Sequence, residues 1–192
     1  MGMNTDWRTP YERGNGNQTT TWQDCIAFHQ RLAQAHGQWL RFEEAGHSDG
    51  GVPIHVGVFS ADGVFDPQQI KAAGRPVFFN NNGIHPGEPE GMDACMALLR
   101  DLCLDPARRA ALGAAVLVYI PVYNVDGALN RSDTSRVNQL GPEAFGFRGN
   151  ARHLDLNRDF TKADSLNARC FAQVYTRWDP DVLVDTHMNY RR

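Results

Sequence analysis

The chain has 192 residues, a formal net charge of −3 and an ordinary globular composition, 42% hydrophobic and 21% charged. That length suits one domain with a sizeable core. The weak negative charge, with no basic cluster interleaved with aromatics, excludes nucleic acid and acidic membrane as natural partners, and no apolar run approaches membrane-spanning length.

The N-terminal stretch "MGMNTDWRTPYERGNGNQ" is polar, lacks a signal-peptide core and has Asp6 where myristoylation prefers Ser or Thr. The expectation is a cytoplasmic protein on the chain as given, or a secreted or periplasmic one if a signal peptide was removed. Residues 1–19 read as an irregular arm. "TTTWQDCIAFHQRLAQAH" reads as a helix, with Thr20 as N-cap, Gln23 completing a capping box, and Trp22, Ile26 and Leu32 toward the core. "WLRFEE" and "VPIHVGVFS" alternate as strands around the turn cluster "GHSDGG" and predict a hairpin.

Next come a strand over 76–80, a loop, and a helix over roughly 90–104. The apolar run "LGAAVLVYIP" predicts a buried central strand. Residues 122–153 are polar and rich in Gly, Asn and Arg, too long a connection to be idle. "ADSLNARCFAQVYTRW" predicts the last helix and "DPDVLVDTH" the last strand. The whole is an α/β fold with a mixed, mostly parallel sheet flanked by helices. Cys25, Cys95, Cys103 and Cys170 show no C-x-x-C spacing. Eight residues of helix separate Cys95 from Cys103 by about 12 Å, too far for a disulfide, so free, mostly buried thiols are expected.

The loop after strand 76–80 is "NNGIHPGEPEG". It places His85 and Glu88 where Pro86 and Pro89 forbid regular helix. His187 ends the last strand. Two His and one Glu form a recognised catalytic zinc set, and the carboxyl ends of neighbouring parallel strands would bring them together. Taken as a pair, His85 and Glu88 read more readily as solvated loop residues; with His187, all three at strand ends, the metal reading draws level. His29, His36, His47 and His55 fit the set less well.

"FRGNARHLDLNRDF" adds a second group. A strand reading of "HLDLN" sets His153, Asp155 and Asn157 on one face. Asn157 with Arg158 suits a grip on a substrate carboxylate, Arg148 suits a developing oxyanion, and Asp155 could orient a zinc-bound His. A solvated, salt-bridged loop is the alternative reading of this stretch.

Together these motifs resemble the zinc carboxypeptidases of the carboxypeptidase A type. "HPGE", "RGNARHLDLNRDF" and "VDTH" occur in the family's order, and "IPVYNVDG" is similar to its Asn-Pro-Asp-Gly segment, with Val125 in place of Pro. The resemblance implies one zinc ion on His85, Glu88 and His187. It implies Asn157 and Arg158 on the C-terminal carboxylate of a peptide, Arg148 polarising the scissile carbonyl, and Asp155 behind His85. The implied activity is hydrolysis of the C-terminal peptide bond of peptides with a free carboxylate. Pancreatic members have an Arg where this chain has Gly87. The nine-residue spacing from Arg148 to Asn157 resembles the branch related to carboxypeptidases D and E.

The resemblance runs from about residue 20, so residues 20–192 are expected to be a catalytic domain, truncated at its C-terminal side. The family's general-base Glu lies beyond its third zinc ligand, where this chain has only "MNYRR". The chain alone is therefore expected to be inactive. Two alternatives are a zinc N-acyl amino acid deacylase resembling aspartoacylase, and a non-catalytic peptide-binding domain.

Overall fold

The computed structural model describes residues 6–137 and 139–188. Residues 1–5 of the expected arm, and 189–192 of the expected domain, lie outside the described residues. The first described element, α1 (Pro10–Arg13), is one helical turn within the segment that the sequence suggested was irregular. A capping box between Thr9 and Glu12 closes it. Helix α2 (Trp22–Ala35) is capped by Thr21, not Thr20: the Thr21 hydroxyl accepts from the Asp24 N–H. Thr20 is instead buried against Asp93, whose carboxylate accepts the Thr20 N–H.

Strands β1 (Leu40–His47) and β2 (Pro53–Ser60) form the expected antiparallel hairpin, with a register shift between Glu44 and Gly46. The short helix α3 (Pro67–Ala72) leads to β3 (Val77–Asn81), then α4 (Glu90–Leu104), α5 (Pro106–Ala111) and β4 (Val116–Ile120). The chain ends with α7 (Leu166–Trp178) and β7 (Val182–Asp185).

The five-stranded sheet has the order β1-β2-β4-β3-β7. β3 pairs in parallel with both β4 and β7, while β1–β2 and β2–β4 are antiparallel. The sheet is mixed, as expected. Parallel pairing is confined to half of the neighbour pairs, because the early hairpin occupies the other half.

Every residue of β4 is buried. α2 covers one sheet face, where His29 meets Tyr119 and stacks on Phe42. α7 covers the other, where Phe171 stacks on Phe79. Gly57 in β2 is a packing requirement: a Cβ there would lie 2.1 Å from the Tyr119 ring. α4 buries Met92, Cys95, Met96, Leu99, Leu102 and Cys103 on one helical stripe. All four cysteines are free and buried.

The polar connection 122–153 is not structureless. It contains α6 (Val125–Leu129), capped by Asn124, and the two-residue strands β5 (Arg131–Ser132) and β6 (Phe145–Gly146), which pair with each other. The strand expected at "HLDLN" does not form. His153 sits at φ 58° and Leu156–Arg158 make a 3-10 turn. Asp155 caps that turn by accepting the Asn157 N–H, so a local side-chain bond replaces a ladder.

Candidate metal centre

Three parallel strands deliver the site. After β3, the Asn82 N–H and Nδ2 both donate to the Ile120 carbonyl at 3.0 Å. The Tyr123 and Asn124 N–H groups return to the Asn82 and Gly83 carbonyls. The loop carrying His85 and Glu88 is thus stitched to the end of β4. A turn bond from Glu88 N–H to the His85 carbonyl, 2.8 Å, places both side chains on the same side. At the end of β7, Thr186 N–H donates to the Asn81 carbonyl at 3.0 Å, which brings His187 beside them.

His85, Glu88 and His187 each offer a ligand atom, and these atoms lie within 4.8 Å of one another. The two imidazole rings meet edge to face with centroids 5.0 Å apart. His85 and Glu88 are buried, whereas His187 is exposed. Ligands held at roughly 2.0–2.2 Å from a tetrahedral zinc lie about 3.3–3.6 Å apart. Donor atoms up to 4.8 Å apart would therefore draw in by roughly 1.2–1.5 Å to hold the ion.

Its chemistry fits as well. The Glu88 carboxyl is held at about 2: burial raises it, and hydrogen bonds from His85, the Met188 N–H and Arg136 outweigh that. A buried carboxylate that stays ionised beside two imidazoles is a donor set for a divalent cation.

Asp155 Oδ1 lies 3.0 Å from His85 Nε2. Accepting from that nitrogen orients the ring and turns Nδ1, 3.3 Å from Glu88 Oε1, toward the donors, where it can ligate once it has given up its proton. Burial raises the Asp155 carboxyl, but bonds to His85 and Arg148 bring it below its ordinary value. Arg148 donates through Nε and Nη2 to Asp155 Oδ2 at 3.1 and 2.9 Å, and its Nη1 lies 3.4 Å from His85 Nδ1. Asn157 Nδ2 donates to His187 Nε2 at 3.2 Å. Arg158 is exposed and bonds the Asn157 carbonyl at 3.0 Å. Three of the four residues that the sequence sets around the donors, Arg148, Asp155 and Asn157, therefore touch a donor imidazole, and the fourth, Arg158, sits beside Asn157. His29, His36, His47 and His55 do not join the cluster.

Two neighbours escaped the sequence reading. Arg136 Nη2 donates to Glu88 Oε1 at 2.6 Å, and no spacing rule links positions 48 apart. Asp185 accepts from Asn81 Nδ2 at 3.1 Å and lies 3.6 Å from His187 Nδ1. Burial pushes its carboxyl up. The "VDTH" string held that signal.

A depression of about 420 Å³ opens beside the donors, lined by Glu88, Glu90, Ala94, Thr186 and His187. A larger cavity of about 650 Å³ lies beyond Pro89, bordered by Tyr11, Asp93 and Pro142. It touches none of the three donors, so the chemistry belongs to the smaller one.

Known proteins resemble this chain in sequence and in fold. A zinc carboxypeptidase family model matches residues 25–178. The curated "Probable carboxypeptidase 2" of Arthroderma benhamiae is 27% identical over 164 residues, covering 83% of this chain and 27% of that protein. The chain thus spans about a quarter of that relative's length. The structure of carboxypeptidase A from Helicoverpa armigera superposes with a TM-score of 0.71 at 16% identity, over 97% of this chain and 49% of that one. A metallo-carboxypeptidase from Burkholderia cenocepacia gives 0.68 at 18%, over 89% and 42%. These structures share the fold.

Proposed function

Because the chain belongs to the zinc carboxypeptidase family, we propose that it carries the metal-binding and carboxylate-gripping part of a metallocarboxypeptidase that cleaves the C-terminal bond of peptides. The observation that carries this reading is the buried His85–Glu88 pair meeting His187 within 4.8 Å. Zinc held by those three residues would polarise the scissile carbonyl and acidify a water.

The chain's own residues supply the rest. Asp155, beside Nε2, orients the His85 ring so that Nδ1 faces the ion. Arg148, anchored on Asp155, keeps Nη1 on the donor side, where a tetrahedral oxyanion would need a donor. Arg158, exposed beside Asn157, can turn its planar fork to a peptide's terminal carboxylate. Asn157 would exchange its bond to His187 for the same carboxylate. A general base is also required. Glu88 is committed to the donors and Glu90 opens α4, so this chain should bind peptides better than it cleaves them.

The family match favours the peptidase over the N-acyl amino acid deacylase. Calorimetry on the zinc-loaded chain separates them. A short peptide with a free C-terminus should bind, its C-terminal amide should not, and Arg158→Ala should weaken the former. Where turnover is measurable, Arg148→Ala should lower kcat by about 10²–10³-fold with little change in KM. Equal binding of the amide, or preference for N-acyl amino acids, would sink the reading.

A further inference from the structure

The connection between β5 and β6 sends a side chain into the donor cluster that the carboxypeptidase reading does not use. Arg136 Nη2 donates to Glu88 Oε1 at 2.6 Å, with the side chains 17% and 5% exposed. Three residues on, Gln139 Nε2 donates to the Gly87 carbonyl at 2.9 Å, and Arg136 Nη1 reaches Gln139 Oε1 at 3.4 Å. One short segment thus holds two consecutive residues of the loop that carries the donors.

Gly87 makes this possible. A Cβ there would meet Arg136 Cδ at 3.1 Å and the Gly146 carbonyl oxygen at 3.0 Å. Gly87 is not among the glycines with positive φ, so the missing side chain is a matter of space and not of backbone freedom. The arginine stem lies across the gap a side chain would fill.

We propose that Arg136 is a positioning residue of the metal centre: seated on Gly87, it fixes the Glu88 carboxylate toward His85 and His187 before the ion arrives. The inference rests on the zinc reading of the site. Without Arg136, Glu88 would keep the Met188 N–H and the His85 ring, but its Oε1 would lose its shortest bond. Part of the ordering cost would then fall on metal binding. Repulsion between a guanidinium and an incoming cation opposes this. The three carboxylates at the donors, Glu88, Asp155 and Asp185, outnumber the guanidiniums of Arg136 and Arg148, so preorganisation decides the sign.

The test is a zinc titration of the 192-residue chain against a competing chelator, for wild type, Arg136→Met, Arg136→Lys and Gly87→Ala. Thermal unfolding of each metal-free protein runs in parallel. Arg136→Met should weaken zinc binding by about 10–100-fold. Lysine should restore part of that, Gly87→Ala should fall between, and metal-free unfolding should barely move. Zinc affinity of Arg136→Met equal to or tighter than wild type, or a loss that only tracks a destabilised metal-free fold, overturns the proposal. If Arg136→Met does not fold, Gly87→Ala decides: it keeps the guanidinium and displaces its stem, and an unchanged affinity overturns the proposal. A wild-type chain that binds no zinc, or binds it equally after His85→Ala, brings down the zinc reading and this inference together. Binding that depends on His85 but not on Arg136 brings down this inference alone.

Discussion

The tripeptide Val-Leu-Val occurs twice, at 116–118 in β4 and at 182–184 in β7, in opposite surroundings. In β4 the three residues are 0%, 7% and 0% exposed; in β7 they are 40%, 43% and 47% exposed. Local preference is the same in both, so the difference is one of placement. β4 pairs on both edges, with helices over both faces of the sheet. β7 pairs only with β3, and among the described residues its outer edge is open. An apolar triplet reports that a strand forms and is made for cover; it does not report what covers it. The donors inherit the contrast: His85 and Glu88 come from a loop stitched to β4, whereas His187 leaves the open strand.

The contrast can be sharpened by substitution. Leu117→Ala should cost about 2–5 kcal/mol in a denaturant titration, because the site is buried and cannot collapse freely. A second consequence involves acid. His29 is buried against Tyr119 of β4, and burial, with a smaller contribution from His55, lowers its pKa from 6.5 to about 3. The unfolded chain takes up a proton below about 6.5 and the folded chain does not until about 3. The stability that His29 contributes is therefore full above 6.5 and lost as pH falls toward 3, by up to about 1.4 kcal/mol per pH unit. Burial lowers His36 and His55 too, in the same direction. Denaturation of the metal-free chain at pH 7 and pH 5 should show the loss, and His29→Gln should flatten it; an undiminished slope would remove His29 from the account. The smallest effect belongs to β7: Leu183→Ala should cost under about 1 kcal/mol. Equal costs for Leu117 and Leu183 would break the comparison.

Much of the fold was legible because its signals are local. Alternation marked the hairpin, the continuous run at 116–120 marked the central strand, and strand-end placement brought His85, Glu88 and His187 together across about a hundred residues. Other features depend on contacts that no local pattern carries. "HLDLN" alternates like a strand, yet Asp155 caps its own turn and His153 takes a left-handed conformation. The connection 122–153 hides a five-residue helix and two two-residue strands, too short for periodicity to register. Thr20 and Thr21 are equivalent as caps until Asp93 takes one of them. Arg136 reaches Glu88 through the folded path alone.

The claim on which the rest depends is that the ends of β3 and β7 share one ion. Equilibrium dialysis of the chain against zinc, followed by elemental analysis of the protein, measures it directly. The account predicts one zinc per chain for wild type, and a loss of at least tenfold in affinity for each of His85→Ala, Glu88→Ala and His187→Ala, with every variant still folded. A chain that takes up no zinc, or that holds it as tightly without His187 as with it, would contradict the account.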